Sequence, residues 1–431
     1  MIFMNKYIDK DMITSLLKKG LLEIFSANFI NKVVQFTTII FLTQIISKTE
    51  YGLFSYAQNT MNMALLLEGL GVTAGILQYC SIAKEDKNRY GFFSYGIKIG
   101  FLINLITSLG IMAYATWGPL AMEGSRRFLF IMSFIPLLSI TYGSIQAYLR
   151  STLRNKEFGR LTVFNTISYF IFTVGFSYLM GANGLILGMY LAYLATVILG
   201  AFFIRKDIFK YKGIKIKDRN MKMEFLKYSI ITVLSNAMSQ ILYLLDTQLV
   251  GVFTKDPIII ANYKNATTIP FNLTFIPLSI IVFAYPYFAQ NRNNKVWLKE
   301  KLSLLVKSLA VVNLVITVGC IVFSKLIFTI LFPKYMDSIP VFRVLMVGYL
   351  ISATFRIPYG NILASVGNVK ANLINAIFSG VCNIVLDIVL IMKYGSIGAA
   401  YATLIVFIIS SIIHYIFVRK YLNSIDANEN S

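Results

Sequence analysis

The chain has 431 residues, of which 57% are hydrophobic and only 14% are charged, and its net charge is +21. Because about a quarter of the residues of a soluble protein are charged, this composition excludes a soluble enzyme, a disordered protein and a disulfide-rich secreted module. A membrane protein with many spans remains. The excess of Lys and Arg lies mainly between apolar runs, so no nucleic-acid partner is expected. Three widely separated cysteines indicate neither disulfides nor a zinc site, and no metal or organic cofactor is predicted.

Twelve apolar runs follow one another along the chain, each long enough to be a membrane-spanning helix. About 20 apolar residues are needed to cross the hydrocarbon core of a lipid bilayer. The runs lie near residues 22–46, 52–79, 92–115, 128–149, 161–180, 184–204, 228–252, 257–289, 303–329, 339–365, 371–392 and 395–418. The sequence therefore predicts an all-α membrane protein with twelve transmembrane helices.

Basic residues between these runs indicate the orientation in the membrane. With the N-terminus placed inside, the inner segments hold 27 Lys and Arg residues and the outer loops hold 6. Since cytoplasmic loops collect Lys and Arg, residues 1–20 and 419–431 are predicted to be a cytoplasmic N-terminal segment and a cytoplasmic tail. The outer loops are all short, which argues against a membrane-bound glycan polymerase or ligase with a catalytic outer lobe.

The chain also shows signs of two related halves. Residues 205–227 carry nine Lys and Arg residues and are predicted to be a basic cytoplasmic linker. They separate residues 21–204 from residues 228–418, with six apolar runs on each side. The end of the first run, FLTQIIS, resembles the end of the seventh, LDTQLVG. The prediction is two six-helix bundles related by a pseudo-two-fold repeat, an arrangement typical of secondary transporters with a site at the repeat interface.

Charged residues well inside the apolar runs are candidates for a substrate site. Lys32 and Arg356 each lie several residues from both ends of a run, where a charge costs roughly 3 kcal/mol or more unless it faces a partner or a wet cavity. Polar residues recur beside them at helical spacing, although helix–helix hydrogen bonding produces the same pattern. Lys264, nearer a run end, either lines the cavity or reaches the lipid headgroups. The predicted lining of a cationic cavity comprises Lys32, Arg356, Lys264, Asn28, Gln35, Asn236, Gln240 and Tyr359.

Two embedded acids, Glu68 and Asp246, have two interpretations. Each could be an ion-coupling carboxylate in transport driven by a proton or sodium gradient, or the counter-ion of an embedded Lys or Arg. The second is favoured because an unpaired buried charge tends to neutralise. Asp387, near a run end, is expected to be solvated. A cationic, water-filled cavity fits an anionic cargo, since Arg and Lys both bind phosphate.

Two stretches resemble a known family. Residues 47–57, SKTEYGLFSYA, resemble the segment after the first helix of polysaccharide-export flippases, and Leu245-Asp246 followed by Tyr263 resembles their seventh-to-eighth helix region. The resemblance is to Wzx-type O-antigen flippases, in the superfamily of multidrug, oligosaccharidyl-lipid and polysaccharide exporters. The family is thought to have a cationic lumen, which Lys32 and Arg356 would fit, but neither residue matches a defined motif position of that family.

The resemblance implies a transporter, not an enzyme. Its substrate would be an undecaprenyl-diphosphate-linked oligosaccharide, moved from the inner to the outer leaflet of a bacterial inner membrane by alternating access, with antiport of an ion. Its role would be O-antigen, lipopolysaccharide or capsule assembly, alongside other polysaccharide assembly proteins. An ion-coupled small-molecule or drug exporter of the same fold remains the alternative, and the embedded Lys and Arg argue against it.

Overall fold

The computed structural model describes residues 21–216 and 218–429, and within these ranges all regular secondary structure is helical. The α-helices are α1 (Leu21–Ile45), α2 (Lys48–Ala64), α3 (Val72–Ile82), α4 (Asp86–Trp117), α5 (Arg126–Met132), α6 (Ile135–Ser151), α7 (Asn155–Lys210), α8 (Arg219–Thr254), α9 (Pro257–Leu273), α10 (Phe275–Gln290), α11 (Lys295–Val322), α12 (Ser324–Leu331), α13 (Ile339–Ile351), α14 (Ile357–Ser365), α15 (Val369–Tyr394) and α16 (Ser396–Glu429). Short 3₁₀ segments occupy Leu65–Gly71, Glu123–Ser125 and Pro333–Ser338, and a π-helical turn occupies Ser352–Arg356. The predicted all-α membrane architecture is confirmed.

The number of spans agrees with the prediction only in part. Among the described residues, 8 helices are long and apolar enough to cross a membrane, or 9 if the bent pair α5 and α6 is one span. The longest, α7, has 56 residues and would extend about 84 Å if straight, well over twice the roughly 30 Å of a hydrocarbon core. It is interrupted at Gly181, whose φ of 59° and ψ of −137° are not helical. Residues on the two sides of Gly181 then pack together, because a side-chain carbon at Gly184 would lie 1.9 Å from the carbonyl oxygen of Phe176. Thus α7 is a hairpin of two antiparallel helices.

The chain separates into two compact units. Of the described residues, those up to Ser47 together with Thr60–Ala237 form the N unit, and Lys48–Asn59 with those from Met238 onward form the C unit. In the N unit α1 packs on α7, and α3, α4 and α6 pack on one another. Its core includes a stacked pair of rings, Phe92 and Phe225, whose centroids are 6.0 Å apart.

The C unit is organised around α13 and α16. Helix α16 packs against both α13 and α15, α9 packs against α13, and α10 packs against α14. Fully buried rings join the short α12 to α13, with the centroids of Phe328 and Phe342 5.2 Å apart. The beginning of α2 approaches the beginning of α9 closely, since a side-chain carbon at Gly52 would lie 1.8 Å from the carbonyl oxygen of Pro257.

The second predicted span, residues 52–79, is broken where the sequence suggested a continuous helix. The backbone leaves the helical conformation from Leu67 onward, and Gly69, Leu70 and Gly71 have φ values of 53°, 50° and 74°. Glycine adopts positive φ without strain, whereas a leucine there costs on the order of 1–3 kcal/mol. The side chain of Asn104 bridges the break. Its Oδ1 accepts from the Gly69 N–H at 2.7 Å, and its Nδ2 donates to the carbonyl of Pro136 at 2.8 Å.

Candidate functional site

The predicted cavity-lining residues of α1, which are Asn28, Lys32 and Gln35, lie in the N unit. The side chains of Lys32 and Gln35 are exposed, and Gln35 Nε2 donates to Asn31 Oδ1 at 3.0 Å. The same Asn31 oxygen accepts from Thr166 Oγ1 on α7 at 2.8 Å. Asn31 therefore fixes the rotation of α1 against α7 and leaves Lys32 and Gln35 on accessible surface. Asn28 belongs to α1, but its side chain lies outside the described residues.

Arg356 lies in the C unit, at the end of the π-helical turn. Its side chain is half-buried, and its Nη1 donates to Tyr243 Oη at 3.1 Å and to Ser352 Oγ at 3.5 Å. The guanidinium carbon lies 5.0 Å from the centroid of the Phe407 ring. These described partners are two neutral hydroxyls and an aromatic ring. They orient the guanidinium without cancelling its charge, which leaves Arg356 suited to an anionic ligand.

The other predicted lining residues have varied surroundings. Asn236, in the N unit, and Gln240, in the C unit, are both exposed on α8. Lys264 is half-buried on α9, next to Asn265, whose two side-chain polar atoms are buried without a described hydrogen-bond partner. Tyr359 is instead packed in an apolar cluster, with its ring centroid 5.8 Å from that of Tyr415.

Asp246 is the centre of a buried polar cluster in the C unit. Its carboxylate accepts from Tyr263 Oη at 3.0 Å, Thr403 Oγ1 at 2.5 Å and Asn383 Nδ2 at 3.3 Å. These donors come from α9, α16 and α15, so three helices converge on one side chain of α8. All three of these donors are neutral, and Asp246 forms no ion pair with a Lys or Arg among the described residues, contrary to the expected counter-ion role.

Asp387 was expected to be solvated, and this expectation is wrong. Its side chain is fully buried on α15, one turn after Asn383, and it faces the Asp246 carboxylate. Neither of its oxygens has a hydrogen-bond donor among the described residues, and Asn383 Oδ1 also has no partner there. The error arises because the sequence shows how near Asp387 lies to the end of its apolar run, but not whether its side of α15 faces the protein interior or the surroundings.

This cluster, here named the acidic cluster (Asp246, Asn383, Asp387 and Thr403), has chemistry suited to a small cation. Two carboxylates that meet in a low-dielectric interior repel each other unless a positive charge lies between or beside them. Carboxylate, amide and hydroxyl oxygens are ligands of hard cations, and a proton on one carboxyl group also removes the repulsion. The arrangement can therefore take up and release one positive charge.

Glu68, the second predicted coupling acid, lies in the N unit at the break in the second span. Its side chain is half-buried, and its Oε1 accepts from Ser139 Oγ at 2.9 Å. This described partner is again neutral.

Sequence reasoning missed two residues of the acidic cluster. Thr403 and Asn383 carry no charge and are unremarkable within apolar runs, whereas Tyr243 belongs to a polar stripe, with Asn236 and Gln240, that the sequence shows on the seventh run. One signal was available, because Asn383 and Asp387 are four residues apart and therefore share a helix face. The meeting of that face with Asp246 depends on tertiary packing across 137 residues of chain.

The chain is similar to known membrane proteins over most of its length. A family model described as polysaccharide biosynthesis protein matches residues 17–292. An uncharacterised membrane protein of Methanocaldococcus jannaschii is 22% identical over 406 residues, covering 88% of this chain and 79% of the relative. The probable low-salt glycan biosynthesis flippase Agl15 of Haloferax volcanii is 19% identical over 411 residues, covering 94% and 84%.

Solved structures share the fold. The lipid II flippase MurJ in an inward closed conformation has a TM-score of 0.73 at 19% identity and covers 95% of this chain and 90% of its own. An inward-facing multidrug resistance MATE family transporter of the MOP superfamily also has a TM-score of 0.73, at 13% identity, covering 92% and 96%.

These matches confirm the predicted resemblance to polysaccharide flippases of this superfamily and the prediction of a transporter instead of an enzyme. Since the family model covers more than half of the sequence, the chain belongs to the polysaccharide biosynthesis protein family.

Proposed function

We propose that this protein is a flippase for undecaprenyl-diphosphate-linked oligosaccharides, moving them from the inner to the outer leaflet of a bacterial inner membrane for O-antigen or capsule assembly. The observation that carries the proposal is the environment of Arg356, a half-buried guanidinium in a membrane helix with neutral described partners. Membership of the family and the likeness to a glycan biosynthesis flippase support a glycan-bearing cargo.

The diphosphate is the part of this cargo that Arg356 would bind. A guanidinium presents several N–H donors in one plane, and these match the oxygens of a phosphate. Tyr243 and Phe407 hold the guanidinium plane in place, so little side-chain entropy is lost when the ligand binds. Lys32 and Lys264, with Asn28, Gln35, Asn236 and Gln240, remain candidates for further contacts to the anionic headgroup.

Transport is proposed to be coupled to a proton or sodium gradient through the acidic cluster. An empty cluster brings two carboxylates together, and a bound cation removes their repulsion. Occupancy therefore favours tight packing of α8, α9, α15 and α16, and release favours its loosening. Antiport follows if the packed and loosened states expose the glycolipid site to opposite leaflets.

The topology is proposed to be twelve spans arranged six plus six, with both termini cytoplasmic. The hairpin at Gly181 supports this count, because it places two spans within α7. The predicted boundaries, residues 21–204 and 228–418 with the basic linker between them, belong to the same proposal.

The experiment is transbilayer movement in vesicles that contain only the purified full-length protein. Undecaprenyl diphosphate carrying a disaccharide is placed in one leaflet, and a membrane-impermeant lectin reports its arrival in the other. We expect protein-dependent movement, slowed about tenfold or more in Arg356→Gln, because loss of one charge-assisted contact to phosphate costs about 1.5–3 kcal/mol. Arg127→Gln, which removes an exposed arginine, is the matched control and should stay within about twofold of wild type.

The same vesicles distinguish the alternatives. Full movement in Arg356→Gln would refute the diphosphate-binding assignment. Absence of glycolipid movement together with efflux of a cationic dye would favour the drug exporter. A dolichyl-linked glycan moved in preference to the undecaprenyl one would correct the lipid carrier.

A further inference from the structure

The N unit contains a cavity whose residues belong to neither the Arg356 site nor the acidic cluster. It has a volume of about 480 Å³ and is bordered by α3, α6, α7 and the break in the second span. This volume is within the roughly 300–1,000 Å³ typical of sites for small organic ligands. The polar residues that line it are Glu68, Thr73, Ser139, Tyr142, Gln146, Arg150 and Tyr193.

The cavity is elongated and differs at its two ends. Ser139 and Arg150 both line it from α6, and eleven residues of helix correspond to about 16 Å. Glu68 and Ser139 mark one end, and Arg150, whose side chain is exposed, marks the other. In the predicted orientation, with the N-terminus inside, residues 150–160 between the fourth and fifth apolar runs are cytoplasmic, so the Arg150 end would face the side on which a glycolipid is loaded.

The end of the cavity at Glu68 and Ser139 offers both hydrogen-bond acceptors and aromatic ring faces. Glu68 accepts a hydrogen bond from Ser139 and also interacts with the side chain of Asn104; a carboxylate has about four acceptor positions, so capacity for ligand hydroxyls remains. The rings of Tyr142 and Tyr193 meet with their centroids 6.1 Å apart. Gln146 Nε2 donates to Tyr142 Oη and, at 2.8 Å, to Thr162 Oγ1, which fixes the orientation of the Tyr142 hydroxyl.

The backbone holds Glu68 in this position at an energetic cost. Glu68 lies within the non-helical turn that continues through Gly69, Leu70 and Gly71, and it lines the cavity from there. Asn104 holds the turn through its bond from the Gly69 N–H. Strained backbone is concentrated at functional sites, which gives a physical reason for an otherwise unfavourable break in an apolar span.

We infer that this cavity binds sugar rings of the lipid-linked glycan, with Glu68 accepting hydrogen bonds from sugar hydroxyls and Tyr142 and Tyr193 packing against the C–H face of a ring. Sugars combine a dense set of hydroxyl donors with an apolar ring face, and the cavity presents the complement of both. The inference rests on the proposed function and assigns Glu68 to substrate recognition instead of ion coupling.

The test separates sugar recognition from diphosphate recognition. Binding of two probes to the full-length protein in nanodiscs is measured by native mass spectrometry: undecaprenyl diphosphate with a disaccharide, and undecaprenyl diphosphate alone. Glu68→Gln and Tyr193→Leu are each expected to weaken binding of the first probe by about tenfold or more and to leave binding of the second within about twofold. Matched controls are Glu123→Gln, an exposed acid, and Tyr178→Leu, an exposed tyrosine also on α7.

Each outcome decides a specific point. If both variants weaken both probes equally, the cavity is structural and the inference is wrong. If wild-type protein binds the two probes equally, no sugar site exists, even where Arg356→Gln confirms the flippase in vesicles. If the disaccharide strengthens binding through Glu68 while no glycolipid crosses the bilayer, the sugar site stands and the transport proposal fails. Glu68→Gln and Tyr193→Leu change different elements of the cavity. If one variant misfolds, the binding data for the other still test the inference.

Discussion

Replacement of Asn104 by alanine is expected to destabilise the N unit strongly. The Asn104 side chain is fully buried and makes two hydrogen bonds to backbone groups, from the Gly69 N–H at 2.7 Å and to the Pro136 carbonyl at 2.8 Å. Alanine leaves the buried Gly69 N–H without this partner, at about 1–3 kcal/mol, and removes the bond from Asn104 to the Pro136 carbonyl, at about 1 kcal/mol. Together these effects give a loss of about 2–4 kcal/mol in the free energy of unfolding, and we expect the lower part of that range because hydrogen bonds within membrane bundles contribute less.

The measurement is equilibrium unfolding in mixed micelles with increasing denaturing detergent, followed by circular dichroism. Asn62→Ala, which removes an exposed asparagine of α2, is the matched control and should change the free energy of unfolding by less than about 0.5 kcal/mol. The same Asn104→Ala protein should bind the glycan-bearing probe less tightly, because the turn that presents Glu68 is no longer held. An Asn104→Ala protein as stable as wild type would show that the break does not depend on this bridge.

Three further predictions follow from contacts described by the structure. Asp387→Asn should make glycolipid movement independent of imposed proton and sodium gradients, because only one ionisable carboxyl remains in the acidic cluster; a gradient response equal to that of wild type would exclude Asp387 from coupling. Gly184→Val should lower the yield of folded protein sharply in a fluorescence-detection gel-filtration assay, since its Cβ would meet the Phe176 carbonyl at 1.9 Å; normal yield would refute the hairpin packing. Arg154→Gln removes ion pairs to Glu157 and to Asp207 and a bond to a main-chain carbonyl; because these groups are partly exposed, detergent titration should show a loss of only about 1–2 kcal/mol, and an unchanged midpoint would contradict it.

The helical membrane architecture could be predicted because it depends on a property that the sequence displays directly, the length of its apolar runs. The break at Glu68 could not, since residues 65–71, LLLEGLG, are as apolar as a continuous span. The conformations of Gly69 and Gly71 depend on neighbours such as the Ser229 carbonyl, 2.3 Å from a side-chain carbon placed at Gly71. The only indication of a break in this part of the sequence is that Gly69 and Gly71 lie close to the embedded acid Glu68.

The candidate sites were predicted less well than the fold. Arg356 was found because a charge inside an apolar run is rare and costly. Asp246 was found for the same reason, but its partners were not, because Asn383 and Thr403 are uncharged and lie more than 130 residues away along the chain. The burial of Asp387 depends on the rotation of α15 about its axis, which hydropathy does not determine.

The π-helical turn that ends at Arg356 affects which sequence changes a related protein can carry at this point. The N–H of Ile357 bonds to the carbonyl of Ser352, five residues earlier, so the turn holds one residue more than an α-helical turn. The turn absorbs this extra residue locally, so deletion of a single residue within 352–356 would restore a regular α-helix and leave the side chains of α14 in nearly the same direction relative to α13. Only the side chains of the turn itself, Arg356 among them, would change position. A one-residue gap at this point in a homologous protein should therefore coincide with a different residue at the position of Arg356. Such a gap would mark a change of cargo charge within an unchanged fold.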